Sequence, residues 1–289
     1  MKKIILVDTS NIIFRSHFGL PPLVTSKGLN SGALLGLART LLKLLDEKPS
    51  LIACALEGGN SFRKKLYAPY KAHRTELDPA LGEQKPFVEP LIKALGIPVV
   101  KATTFEADDV IGTLARVASS LNYKVEIISS DKDFCQLIDE NIRIRDIQKN
   151  TYMGVEEVIQ KYGVTPEQFR DYLAIVGDKS DNIPGIRGLG PKNASRILTE
   201  FKSVDALVDD LESIEGKLKF QILKDLDNLR ISQTLATIET KINLPEPVEI
   251  LCQRKPMNKE DLTGLIDELE FLSLEYLVRP SYGIREGSL

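Results

Sequence analysis

Short apolar runs alternate with helix-period segments through the first half of the chain. Residues 4–7, 51–56, 97–100 and 125–129 are brief, rich in Ile and Val, and bounded by charged or turn residues, which predicts four buried strands. Between them, residues 33–45 (ALLGLARTLLKLL) and 107–121 carry apolar side chains at helical spacing. Strands alternating with helices predict the α/β class, with a parallel central sheet flanked by helices on both faces. After about residue 150 the pattern changes, and residues 155–162, 166–176, 191–201 and 206–211 all read as helices, with Thr165 as N-cap and Pro166 at the first helical position. The expected organisation is an α/β domain over residues 1–165 and a helical part over 166–289, the pattern being least informative past residue 215. One segment, from Gly58 to about Pro86, has no sustained period. Within it RKKLYAPYKAHR (63–74) holds five Lys or Arg and no acid, interleaved with Tyr67 and Tyr70. A solvated loop is the plain reading; mixed basic and aromatic residues suit single-stranded nucleic acid better.

Composition narrows the setting. The chain's 38 Lys and Arg against 41 Asp and Glu leave a net charge of −3, which by itself argues against a nucleic-acid partner but does not say where the charges sit. Cys54, Cys135 and Cys252 are widely spaced and form no CxxC, so a reducing cytoplasm is expected rather than a disulfide or zinc framework. The apolar run of MKKIILVD ends at Asp8, and no segment approaches the roughly 18 apolar residues of a membrane span. A soluble, cytoplasmic protein without a membrane partner is the expectation.

The acids fall at the predicted strand ends. Asp8 closes the first strand, Glu57 follows the second, Glu106, Asp108 and Asp109 (FEADD) open the helix after the third, and Asp131 and Asp133 (SSDKDF) follow the fourth. The crevice beyond the strand C-termini is where open α/β sheets bind ligands. Singly, each acid could be a helix cap, Glu106 as the fourth position of a box begun at Thr103, for example. Repetition at every strand end points to a shared site whose mutual repulsion calls for a cation. With only His17 and His73 and no paired cysteines, the donors are hard oxygens, which suit Mg²⁺ or Mn²⁺ rather than Zn²⁺ and imply phosphoryl chemistry with two or more ions.

Residues 177–194 read GDKSDNIPGIRGLGPKNA. Asp178 and Asp181 would extend the carboxylate site. Gly185, Gly188 and Gly190 lead into a helix at Pro191, where exposed N–H groups with Lys192 and Arg196 could hold a phosphate. The same glycines could equally serve a tight helix–helix turn. The spacing is neither GxGxxG nor a P-loop, so no nucleotide cofactor is expected.

In order along the chain, VDTSNIIFR, SFRKKLYAPYKAHR, FEADDVIGTLA, SDKDFCQL and GDKSDNIPGIRGLGPKNA resemble the 5′-nuclease domain of bacterial DNA polymerase I and, more broadly, the flap endonuclease family, from Asp8 to near residue 277. The resemblance implies a PIN-like, flap-endonuclease-type fold with an arch inserted at about 60–86 and a helix-hairpin-helix (helix-three-turn-helix) element at about 174–201, in a free-standing form. It implies a structure-specific 5′-nuclease that cuts 5′-ends and 5′-flaps of DNA, and RNA primers in RNA–DNA hybrid, in replication and repair, leaving 5′-phosphate and 3′-hydroxyl. Asp8, Glu106 and Asp108, supported by Asp109, would hold the first metal; Asp131, Asp133, Asp178 and Asp181 would serve the second. Lys71 and Arg74 would share one face of an arch helix and act on the phosphate, Tyr70 would stack on a base, and Arg15 would add a basic contact. A K⁺ ion at the glycine turn, a bacterial, nucleoid-associated setting and a monomer also follow from the resemblance. Where the family has Phe-Asp after the second strand, this chain reads ALEGGNSFR, leaving Glu57 as the acid available. Two other readings are a branched-DNA binding protein with weak chemistry and a ribonuclease on a related fold. The full carboxylate set favours an enzyme over the first, and the glycine-rich grip fits duplex better than the second.

Overall fold

The computed structural model describes residues 2–59, 61–74 and 78–279. Residue 60 and residues 75–77 of the expected arch, and residues 280–289 of the expected helical part, lie outside the described residues. The elements run β1 (Lys3–Asp8), α1 (Thr9–Gly19), α2 (Gly32–Asp46), β2 (Leu51–Ala55), α3 (Phe62–Leu66), α4 (Pro79–Gly82), α5 (Lys85–Ala94), β3 (Val99–Val100), α6 (Ala107–Ser120), β4 (Lys124–Ile128), a 3-10 turn (Lys132–Leu137), β5 (Ile142–Asp146) and β6 (Thr151–Met153). Helices follow: α7 (Val155–Tyr162), α8 (Pro166–Val176), α9 (Pro191–Phe201), α10 (Val204–Asp209), α11 (Gly216–Lys224), α12 (Leu226–Ala236), α13 (Val248–Leu251) and α14 (Lys259–Glu268), ending in a 3-10 turn (Leu272–Leu277).

The sheet order is β3-β2-β1-β4-β5-β6, with β6 antiparallel to β5 and every other pair parallel. The order reverses between β1 and β4, so the ligand crevice of such a sheet opens at the C-terminal ends of these two strands. Alternation along β1 sends Ile4 and Leu6 into one apolar cluster and Ile5 and Val7 into the other. Val110, Ile111 and Leu114 of α6 cover the first face; Leu34, Leu37 and Leu41 of α2 cover the second. Each such fully buried Leu or Ile contributes about 1.5–3 kcal/mol.

Several elements differ from the expectation. The strand expected at 97–100 pairs only at Val99–Val100, because the chain is still leaving α5 through the left-handed Gly96 and Pro98 has no N–H to give the ladder. Pro98 contributes its carbonyl instead, accepting from the N–H of Cys54 at 2.9 Å. Strands β5 and β6 went unread, since IRIRD puts a buried Arg145 among apolar residues. The helix expected at 206–211 begins at Val204, where Ser203 caps it by accepting from the N–H of Ala206 at 3.1 Å. Packing runs on across residue 165. Phe169, Leu173, Ile197, Leu229 and Ile238 belong to the same cluster as Ile4 and Leu6, while Leu262, Ile266, Phe271 and Leu274 return to the cluster on the other face, where α14 packs against α5.

Candidate active site

The crevice is built by chain ends that must turn. β1 stops at Asp8, whose carboxylate caps α1 by accepting from the N–H of Asn11 at 3.1 Å and takes the Ser129 hydroxyl at 2.7 Å. Ser129 follows β4, and its Oγ also accepts from the N–H of Asp131 at 3.0 Å, joining the two strand ends. Asp131 in turn caps the 3-10 turn through the N–H of Asp133 at 2.9 Å. On the other side Glu106 caps α6; Thr103 does not begin a box there, because Asp109 reaches back to the Glu106 N–H at 3.0 Å. Glu57 accepts from the N–H of Ala107 at 3.3 Å, so it sits at the start of α6.

Burial and shared charge set the protonation. Burial pushes Asp8 up to about 6 against its bonds to Ser129 and Asn11, with Asp131 and Glu57 adding to the rise. Burial and Asp131 push Asp133 up to about 8. Asp108 is raised well above the carboxylate range by burial, then by Asp8 and Asp131, and Glu57 is raised by burial and Glu106. Asp178 behaves oppositely: against the push of burial, Lys132 and Ser180 hold it below the usual range. Burial disfavours the charged form, neighbouring acids deepen the effect, and a cation relieves it.

Those cations are, in this structure, side chains. Lys71 Nζ lies 3.0 Å from Glu106 Oε1 and 3.6 Å from Asp181 Oδ2, Arg74 lies 2.6 Å from Asp181 Oδ1, and Lys132 pairs with Asp178. Among the described residues no three Asp, Glu, His or Cys side chains are drawn together as a metal cage. The donor set still fits a hard divalent ion: it is all carboxylate oxygen, and the buried Asp133 Oδ1 has no hydrogen-bond partner.

Several assigned roles change. Lys71 and Arg74 share no helical face, because α3 ends at Leu66 and Lys71 has a left-handed φ of 54°. Its N–H bonds the Asp181 carbonyl at 2.9 Å and Asn182 holds the Pro69 carbonyl at 2.8 Å, which draws the segment onto the turn after α8 instead. Tyr70 is not available to stack on a base: it is 3% exposed, and its hydroxyl donates to Glu106 at 3.0 Å. Asp109 is not positioned as a ligand either. Fully buried, it receives two guanidinium bonds from Arg63 and the N–H of Glu239 at 2.8 Å. Arg15 pairs with Asp146 at 2.9 Å, beside β5. Asp178 and Asp181 lie just past the end of α8, near the helix end as expected, in a turn closed by the Asp178–Ile183 bridge.

The glycine turn divides its labour. Gly185 gives its N–H to Ser232 at 2.9 Å and Arg187 gives its own to Asp225 at 2.9 Å, so these donors are not offered to a ligand. Gly185, at φ 65°, is needed for close packing, since a Cβ there would lie 2.6 Å from the N of Gly177. The N–H groups of Gly188, Gly190 and Lys192 have no intramolecular acceptor among the described residues, and Lys192 and Arg196 are exposed one turn apart on α9. Sequence reasoning missed Arg63, Ser129 and Lys132. Arg63 sat inside a basic run that reads as surface, and nothing in SSDKDF distinguishes its serine or lysine from loop residues.

Comparison with known proteins fits this geometry. The family profile described as "5′-3′ exonuclease, N-terminal resolvase-like domain" matches residues 3–163, and "5′-3′ exonuclease, C-terminal SAM fold" matches residues 164–260. The chain is 36% identical over 281 residues to a 5′-3′ exonuclease of Aquifex aeolicus, covering 96% of this chain and 95% of that protein. It is also 36% identical over 280 residues to DNA polymerase I of Bacillus subtilis, covering 94% of this chain but only 33% of the polymerase. Among solved structures, the flap endonuclease of bacteriophage T5, in a pseudo-enzyme–product complex with DNA and metal ions, shares the fold with a TM-score of 0.67 at 21% identity, covering 96% and 98% of the two chains.

Proposed function

This chain belongs to the 5′-3′ exonuclease family, and from that premise we propose that it is a metal-dependent nuclease hydrolysing phosphodiesters at the 5′-ends and 5′-flaps of DNA, with Mg²⁺ or Mn²⁺ as the working ion. The observation that carries the reading is the crevice at the sheet's switch point, where acids crowd until burial and one another's charge raise Asp8, Asp108 and Asp133 above the usual carboxylate range. A protein that only bound DNA would gain nothing from concentrating negative charge beside phosphate. Asp8, Glu106 and Asp108 would hold one ion, and Asp131, Asp133, Asp178 and Asp181 a second. Bound divalent ions supply Lewis acidity toward the phosphate and an activated water.

The chain's own residues do the rest. Lys71 and Arg74, already over Glu106 and Asp181, are placed to meet the charge that develops on the phosphate. The N–H groups at Gly188, Gly190 and Lys192, with the Lys192 and Arg196 side chains, suit the backbone of a duplex and fix its register without reading sequence. Shape-based recognition of this kind extends the proposal to RNA–DNA hybrid at primers, and family likeness extends it to K⁺ at the glycine turn and to a cytoplasmic monomer. The products would be a 5′-phosphate and a 3′-hydroxyl. The test is incubation with a 5′-flap DNA, with and without Mg²⁺, beside Asp131→Ala. Mg²⁺-dependent cleavage abolished by the substitution is expected; tight flap binding without any metal-dependent cut would leave a binding protein instead.

A further inference from the structure

Arg63 stands at the foot of the basic segment yet is 2% exposed. Its guanidinium donates to Asp109 Oδ2 at 2.8 Å and Oδ1 at 2.6 Å, to Glu106 Oε2 at 3.3 Å, and to the carbonyls of Leu235 and Thr237 at the end of α12. A helix C-terminus favours a cation, and a planar fork matches a carboxylate bidentately. The consequence for the acids of EADD is unequal. Asp109 spends its remaining capacity on the N–H groups of Glu106 and Glu239. Glu106 has Oε2 occupied by Arg63 and the Tyr70 hydroxyl, while Oε1 faces Lys71.

We infer that Arg63 is a positioning residue for the metal centre: it locks Asp109 away from coordination and grips one oxygen of Glu106, so that the other is presented to the ion. The inference rests on the reading of the crevice as a divalent-metal site. Partners that orient metal ligands from behind are worth about 10–100-fold in metal affinity, and a lysine cannot reproduce a five-donor fork. Nothing about a run of Lys and Arg in sequence marks one member for this role; burial and the two facing carboxylates do.

The test measures Mn²⁺ binding to the full chain without DNA, by electron paramagnetic resonance, beside thermal melts of the same samples. Arg63→Gln is expected to weaken Mn²⁺ binding by about 10-fold or more, and Arg63→Lys to weaken it less while keeping a cooperative melt. In a Glu106→Gln background the further change Arg63→Gln is expected to cost clearly less affinity than it does alone, because much of its effect passes through Glu106. A purely structural ion pair would lower the melting temperature and leave the Mn²⁺ affinity of the folded protein unchanged, which would overturn the inference. Equal losses in both backgrounds would do the same. Should Arg63→Gln not fold, Arg63→Lys alone, folded and with wild-type affinity, still decides against it. Wild-type protein that bound no Mn²⁺ would overturn the metal reading along with it.

Discussion

Asp133 carries its proton to about pH 8 because burial and the charge of Asp131 oppose ionisation, and Asp8 carries its own to about pH 6 by burial chiefly. In the unfolded chain both titrate near about 3.9. Below that value the two states bind the same protons and neither acid affects stability. As pH rises the unfolded state releases its proton first, so the metal-free fold loses stability progressively, fully by about pH 8 for Asp133. Asp133→Asn removes this effect. Melts in EDTA should show the variant gaining on wild type between about pH 5 and about pH 8.5, by roughly 1 kcal/mol or more, some 2–4 °C; parallel profiles would mean that Asp133 titrates ordinarily. Glu57 is read differently, since it bonds the Ala107 N–H at the start of α6 and lies beside Glu106. Glu57→Gln should raise the Mg²⁺ needed for half-maximal cleavage several-fold while leaving the saturated rate close to wild type, measured by Mg²⁺ titration of flap cleavage. The carboxylates were legible because acids at strand ends recur in sequence. Arg63 and Lys132 were not, because a cation's partner lies elsewhere in the chain.

At the level of elements, the segment 67–74 shows how tertiary contact overrides local spacing. Lys71 and Arg74 are three residues apart and could share a helical face, but Lys71 is left-handed and bonded to the turn after α8. Its ammonium occupies the oxygen of Glu106 that a divalent ion would use. Lys71→Ala should therefore bind Ca²⁺ several-fold more tightly, by calorimetry, while cutting more slowly in Mg²⁺; weaker Ca²⁺ binding would show that Lys71 does not compete. The glycine turn makes a second, graded case. A Cβ at Gly185 would meet backbone atoms at 2.6–2.8 Å, whereas at Gly188, φ 83°, it would meet only the flexible end of Gln221 at 2.7 Å. Gly185→Ala should cost about 3 kcal/mol or more and Gly188→Ala about 1 kcal/mol in urea denaturation. Equal costs would put the strain in φ alone. From sequence, both a tight turn and a phosphate grip were open, and the structure divides them by residue. The paired donors at 185 and 187 serve the turn, and those at 188, 190 and 192 remain for a ligand.

Across the whole molecule, opposed charges sum to −3 without describing any one surface, which is why the total misled about nucleic acid. The amphipathic pattern of the last helices was similarly silent: periodicity says that a face is buried, not against what. α14 and the turn after it do not extend the glycine-bearing helices. Leu262, Ile266, Leu269, Phe271 and Leu274 enter the cluster formed by β1, β2, α2 and α5, on the side of the sheet away from α6. The apolar layer that α2 and α5 lay over this face of the sheet is therefore completed by residues past 258, although every acid of the crevice lies before that point. Five such side chains at about 1.5–3 kcal/mol each amount to roughly 8–15 kcal/mol by area bookkeeping, an upper bound of the same size as the whole stability of a typical domain, about 5–15 kcal/mol. A chain ended after Asn258 should accordingly fail to melt cooperatively by circular dichroism and should lose flap cleavage with its fold. A single substitution tests the same packing more gently: Phe271→Ala, 1% exposed in the intact protein, should cost about 3–5 kcal/mol with the cleavage rate of the folded fraction unchanged. A truncated chain melting within a few degrees of the full one would show that the sheet's second face is closed by α2 and α5 alone.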